Sequence, residues 1–189
     1  MNWTERGIRL QQETSFPDSN HTSLTLHSTP AKPWTMHLRI PAWTTAANTV
    51  TINGRRLEVA GTPGSYLAIT RTWKAGDRVE LTMPIRLTVE PLPDDPSQQA
   101  FLYGPLVLAG QFPLGTLDFD LQHNQGPEIQ EAPAINVPTL VSGGLPPEQW
   151  IKPVSGQPLT FRTISQSQDV TLKPINQSWQ RFAVYWTVS

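Results

Sequence analysis

The chain has 189 residues, 38% hydrophobic and 15% charged, with a net charge of −1 at neutral pH. That length predicts one domain, or two small ones in close contact. The balanced charge, with neither a basic stripe nor a polyanionic run, argues against nucleic acid as a partner. Cysteine is absent from the sequence, which excludes disulfides, thiolate metal sites and a cysteine nucleophile. The 19 prolines are about double the usual share of ~5%. That density disfavours long helices and suits strand edges and loops. No apolar run approaches the ~20 residues of a membrane span, so no membrane partner is expected. The N-terminus, MNWTERGIRLQQ, lacks a basic-then-apolar signal pattern. It enters strand-like sequence almost at once, as though further residues preceded it.

Ile8 and Leu10 share a phase within Gly7–Thr14, which reads as a first strand. The cluster Phe16-Pro17-Asp18-Ser19-Asn20 is a turn, and Leu24 and Leu26 mark a short strand over Ser23–Ser28. Met36–Glu90 holds the clearest signal. Met36, Leu38 and Ile40 alternate with His37 and Arg39; Val50 and Ile52 alternate with Thr51 and Asn53. From Val79 an apolar phase runs through Leu81, Met83, Ile85, Leu87 and Val89. A period of two places alternate side chains in the core, so these are half-buried strands. Asn53-Gly54 between two runs predicts a type I′ turn. The expectation is a four-stranded meander in one sheet, with Leu38, Ile40, Ile52, Leu67, Ile69, Leu81 and Met83 buried. Phe101–Ala109 is nearly continuous apolar sequence and predicts a strand covered on both faces, kinked at Gly104-Pro105. That makes about seven strands by residue ~110, enough for a sandwich.

Residues 111–155 carry seven prolines and no sustained period. They read as an extended excursion with one helical turn at Pro146–Trp150, where proline suits the first helical position. Three strands follow, at Leu159–Thr163, Asp169–Lys173 and Arg181–Val188. In the last, Phe182, Val184 and Trp186 share a phase. The fold class is therefore all-β: an antiparallel, jelly-roll-like β-sandwich with a long irregular excursion and three C-terminal strands packed on it. The expected division is a sandwich over residues 1–110 and the excursion plus C-terminal strands over 111–189.

Eight stretches carry a resemblance by their succession. They are WTERGIRLQQETSFP at Trp3–Pro17, LRIPAW at Leu38–Trp43, VTING at Val50–Gly54 and GSYLAITRTWKAGDRVELTMP at Gly64–Pro84. YGPLVLAG at Tyr103–Gly110, WIKP at Trp150–Pro153, PLTF at Pro158–Phe161 and RFAVYW at Arg181–Trp186 follow. Together they resemble the region C-terminal to the catalytic barrel in glycoside hydrolase family 127 proteins, the β-L-arabinofuranosidase-like enzymes. The resemblance implies a parent protein with an (α/α)6 barrel that carries the active site, followed by β-sandwich domains. It also implies a cysteine nucleophile at a zinc site and a glutamate acid/base in that barrel. None of those positions maps onto this chain, so no catalytic residue, cofactor or metal is assigned to it.

Two further chemistries are open to its own residues. Asp94-Asp95 and Asp118-Phe119-Asp120 are the carboxyl pairs to consider for glycoside hydrolysis, and both read as turn aspartates. Asp118, Asp120 and His123 supply only part of an oxygen-rich cation site. The histidines, His21, His27, His37 and His123, show no metal spacing and read as surface residues. Asn2-Trp3-Thr4, Asn20-His21-Thr22 and Asn176-Gln177-Ser178 match the glycosylation pattern, which recurs by chance. The seven tryptophans matter more, because a sugar's apolar face stacks on an indole. Trp73 and Trp186 lie in apolar strand phases and read as core. Trp34, Trp150 and Trp179 lie beside proline or polar residues and are the candidate carbohydrate-binding residues. The favoured function is a non-catalytic accessory sandwich that supports the missing barrel or an oligomer interface such as a homodimer. The alternative is a carbohydrate-binding module whose partner is a glycan. An uncovered apolar surface is expected near the N-terminal strand and the loops carrying Trp34 and Trp150.

Overall fold

A computed structural model describes residues 1–59, 61–113, 136–179 and 181–189. The chain divides into two compact units, Met1–Arg86 and Leu87–Ser189.

The first unit has eight strands: β1 Asn2–Trp3, β2 Ile8–Thr14, β3 His21–Ser28, β4 Trp34–Arg39, β5 Thr49–Ile52, β6 Arg55–Arg56, β7 Tyr66–Arg71 and β8 Arg78–Thr82. One sheet has the order β1-β2-β3-β8-β5-β6; the second holds β4 and β7 alone. Every pairing is antiparallel. The pairs β3·β8, β4·β7 and β5·β6 nest inside one another, as in a long hairpin rolled up on itself. That nesting gives the unit its jelly-roll character. The expected meander in one sheet is not what forms. Alternation identifies the buried face of each strand correctly but does not specify its neighbour, and successive strands here change sheet. Between the sheets lie Ile8, Leu26, Val50, Ile52, Val79 and Leu81 from one, and Met36, Leu38 and Ile69 from the other. Ile40, Trp73 and Met83 complete this core, while Leu67 is half-buried against it.

Turn chemistry follows the sequence closely. Asn53 and Gly54 both have positive φ, 51° and 77°, and close the β5–β6 hairpin as a type I′ turn requires. The same Asn53 reaches a second turn, Lys74–Asp77. Its Nδ2 donates to Asp77 Oδ1 at 2.8 Å, and its Oδ1 accepts from the Arg78 N–H at 2.9 Å. Asp77 Oδ2 accepts from the Lys74 N–H at 2.9 Å and lies 3.7 Å from an Arg71 guanidinium nitrogen. Asp77 is buried. Burial alone would raise its pKa, but the Asn53 and Lys74 hydrogen bonds and the charges of Arg71 and Lys74 outweigh it. The carboxyl is held below its ordinary value.

The second unit has β9 Leu87–Pro91, β10 Gln98–Tyr103, β11 Leu106–Phe112, the helical turn α1 Pro147–Trp150, β12 Ile151–Pro153, β13 Phe161–Thr163, β14 Thr171–Pro174, β15 Arg181–Ala183 and β16 Tyr185–Thr187. Its strands form one sheet in the order β12-β13-β14-β11-β10-β16, with β9 on β10 and β15 on β11. Residues 87–110, expected in the first sandwich, thus pair with the C-terminal strands. The division falls after residue 86, not after 110, and residue 110 lies inside β11. Gly104-Pro105 is a turn rather than a kink: Tyr103 pairs with Leu106, so the apolar run splits into two strands of a hairpin. The last strand also splits. Residues 181–183 pair with β11 and residues 185–187 with β10. Phe182 therefore faces solvent, while Trp186 is fully buried. The Trp186 ring lies where a Cβ on Gly110 would sit, so this packing requires glycine at 110. The helical turn forms as expected, with Pro147 in its first turn.

Two outcomes test this architecture. Leu81→Ala removes a buried side chain between the sheets and should cost about 2–5 kcal/mol in denaturant unfolding. Because the folded pKa of Asp77 lies below its unfolded value, its stabilisation is complete above the unfolded pKa. It is lost as pH falls through the folded one. Asp77→Asn places an amide N–H2 against groups that donate to the carboxylate. It should cost about 1.5–3 kcal/mol at neutral pH, the scale of hydrogen bonds to charged groups, and flatten the acid limb of stability against pH.

Candidate functional site

An apolar groove of about 280 Å³ opens in the first unit, lined by Met1, Trp3, Ile8, Leu10, Leu24 and the β4 residues Trp34 to Leu38. The six-stranded sheet supplies β1, β2 and β3 to one wall, whereas the opposing sheet has only two strands. Leu10 and Leu24 are left half-buried. A wide sheet over a narrow one leaves an uncovered flank, and the groove is that flank.

Trp34 stands at its edge, fixed on two sides. Its Nε1 donates to Thr29 Oγ1 at 2.8 Å, and its ring lies 5.6 Å from that of Trp73, tilted by 38°. Trp73 Nε1 in turn donates to the Trp34 carbonyl at 3.2 Å. Trp3 is 45% exposed and has the Arg6 guanidinium 5.4 Å above its ring. The volume lies just under the roughly 300–1,000 Å³ of small-molecule sites. Its polar groups are few, whereas a sugar needs hydrogen bonds for its hydroxyls as well as a stacking face.

The other candidate tryptophans lie in the second unit. Trp150 is 5% exposed. It packs edge-on against Phe101 at 5.3 Å, and its Nε1 donates to the Leu145 carbonyl at 3.3 Å. The expectation that Trp150 is exposed is thus overturned: the helical turn that begins at Pro147 carries the ring inward. Trp179 is 90% exposed.

Asp95 and Glu80 are held by local partners. Asp95 Oδ1 accepts from the Ser97 N–H and hydroxyl at 3.1 and 2.6 Å, a turn contact. Glu80 lies 3.2 Å from Arg78 and 3.8 Å from His21, and accepts from the Thr51 hydroxyl at 3.0 Å. Among the described residues no three His, Asp or Glu side chains are placed to hold a metal ion. Asp118, Asp120 and His123 lie outside the described residues. The sequence placed an uncovered apolar surface near the N-terminal strand and the loops carrying Trp34 and Trp150. The groove lies by the first two, but Trp34 opens strand β4 rather than sitting in a loop, and Trp150 is buried in the second unit.

Residues 1–85 match the family model described as the GH127 middle domain of β-L-arabinofuranosidase. No curated protein matches the sequence. A solved structure described as a glycoside hydrolase aligns with 100% of this chain and 34% of its own, at 20% identity and a TM-score of 0.66. A GH127 β-L-arabinofuranosidase from Geobacillus stearothermophilus T6 aligns with 96% of this chain and 31% of its own, at 18% identity and a TM-score of 0.62. A GH127 β-arabinofuranosidase aligns with 96% and 32%, at 20% identity and a TM-score of 0.60. At such identities the likeness establishes the fold, and the chain spans about a third of the length of these proteins. By sequence in its first unit and by fold along its whole length, the chain is similar to the β-sandwich region of glycoside hydrolase family 127 proteins.

Proposed function

We propose that the chain is a non-catalytic accessory β-sandwich region of a glycoside hydrolase, which supports the catalytic barrel of a parent protein or an interface between its copies. The match of residues 1–85 to a middle domain carries this reading. The arrangement of the acids supports it. A retaining or inverting glycosidase needs two carboxyls converging across a sugar in environments that separate their pKa values. Glu80 instead sits among basic and hydroxyl partners on a strand, and Asp95 closes a turn. Among the described acids Asp77 has a shifted pKa, and it is depressed, with the carboxyl buried in a structural knot. A depressed carboxyl is a poor general acid at neutral pH.

The partner implied by the resemblance is an (α/α)6 barrel. The test is incubation of the purified chain with aryl β-L-arabinofuranosides, with and without zinc and reductant. No turnover is expected. Turnover that co-purifies with the chain and disappears when one of its own acids is substituted would overturn the reading.

The exposure of Trp179 favours a second reading, in which the second unit stacks a glycan on that indole. Arabinose-containing oligosaccharides should then quench tryptophan emission saturably, and Trp179→Ala should abolish the response. The accessory reading predicts no saturable quenching at millimolar ligand.

A further inference from the structure

The wall formed by β4 has a geometric peculiarity. Trp34, Thr35, Met36, His37 and Leu38 are consecutive, yet all five line the groove. Side chains alternate across a strand, so a face could present only every second residue. Five in a row line one groove where main-chain atoms join the side chains, as they do along a strand edge. β4 pairs with β7 along one side, and no other described strand pairs with it. Continuing that ladder, the Ile40 N–H donates to the Ser65 carbonyl and the Ile40 carbonyl accepts from the Gly64 N–H. Backbone groups of alternate residues point to opposite edges in an antiparallel pair. Those in phase with Ile40 therefore face β7, and those of Thr35, His37 and Arg39 face the groove.

Edges of this kind are usually closed by proline, lysine or a bulge. Pro33 and Pro41 bracket β4, but between Trp34 and Leu38 there is no proline, lysine or shift of register. The two rows of the strand differ in character. Met36 and Leu38 are buried and Trp34 half-buried on one, whereas His37 and Arg39 are exposed on the other. Charge adds a second constraint. The first unit has ten Lys and Arg against six Asp and Glu, a net +4, while the second has four against nine, a net −5.

We propose that the β4 edge takes up an extended segment of a partner polypeptide as an added strand, with apolar side chains entering the groove and acidic ones alternating on the outer row beside His37 and Arg39. Main-chain hydrogen bonds to Thr35 and His37 would supply the pairing, and Leu10 and Leu24 the floor for its apolar row. This is β-strand addition, in which the backbone gives affinity and alternate side chains give selectivity. A second copy is a poorer occupant, because two basic units would face each other across the shared edge.

The experiment uses the whole chain and a blocked synthetic peptide of about six residues, the usual strand length, that alternates valine with glutamate. Calorimetry should show saturable binding, and exchange of the Thr35 and His37 amides measured by NMR should slow several-fold. The same peptide methylated on its pairing amides should not bind, because it cannot donate. A valine–lysine peptide should bind several-fold more weakly, and His37→Glu, an exposed change, should weaken the acidic peptide and strengthen the basic one. Three results would overturn the proposal. One is no saturation at about 1 mM peptide, a threshold near −4 kcal/mol. Another is binding indifferent to amide methylation or without protection at Thr35 and His37. The third is self-association in sedimentation that excludes the peptide, which would make a second copy the occupant.

Discussion

The first unit depends on one buried carboxylate joining segments that are far apart in sequence. Asp77 sits in the turn before β8 and binds the Asn53 side chain from the β5–β6 hairpin, the Lys74 N–H within its own turn and the Arg71 guanidinium at the end of β7. Its main chain continues the ladder with β3, because the Leu26 N–H donates to the Asp77 carbonyl and the Gly76 N–H to the Leu26 carbonyl. A rolled-up hairpin has long-range pairings throughout, and each must overcome the entropy of closing its loop. A single acceptor with several fixed donors ties four strands at one end of the roll. A buried charge would be costly if any donor were missing, so this knot favours the register in which all are present.

A second buried polar group acts in the same way at the Ile40–Gly61 crossing. Asn48 donates to the Thr45 and Gly61 carbonyls at 2.9 and 2.7 Å and accepts from the Gly61 N–H at 3.0 Å. A Cβ on Gly61 would overlap the Ile40 side chain, so glycine is required where the loop backbone passes over the core. The sequence showed these residues as turn punctuation and polar loop. Their long-range partners were not legible, since a hydrogen bond between residues 48 and 61 leaves no periodic trace.

Legibility followed the range of the interaction. Strand existence, buried phase and the Asn53-Gly54 turn depend on neighbours one to four residues apart, and in the first unit they were readable apart from the short β1 and the half-buried Leu67. The pairing of β3 with β8, the exchange of strands between sheets and the place of residues 87–112 depend on contacts across the unit, and period-two patterning does not record them. Trp150 and Phe182 illustrate the limit from both sides. A polar, proline-rich neighbourhood concealed a core tryptophan, because the helical turn carries it inward. An apolar phase suggested a buried phenylalanine, but the strand changes partner at Val184 and the phase does not survive the break. The pairing of Gly110 with Trp186 shows the second unit's own long-range constraint. The indole takes the space a side chain would occupy, although its Nε1 finds no acceptor among the described residues.

The uncovered flank of the first unit links fold to function more directly than any single side chain. Two strands lying over a six-stranded sheet cannot cover its whole apolar face, so Leu10 and Leu24 remain half-buried and β4 keeps an edge that no other described strand pairs with. Natural sheets close such edges unless something else does. The groove's side chains offer a free sugar stacking but few hydrogen bonds, and the main-chain groups of the β4 edge lie at the fixed spacing of a strand ladder. A polypeptide strand satisfies both deficits at once, since its amides pair with the edge and its alternate side chains fill the groove. An open edge beside an apolar groove therefore suits the extended segment proposed for it better than a free sugar.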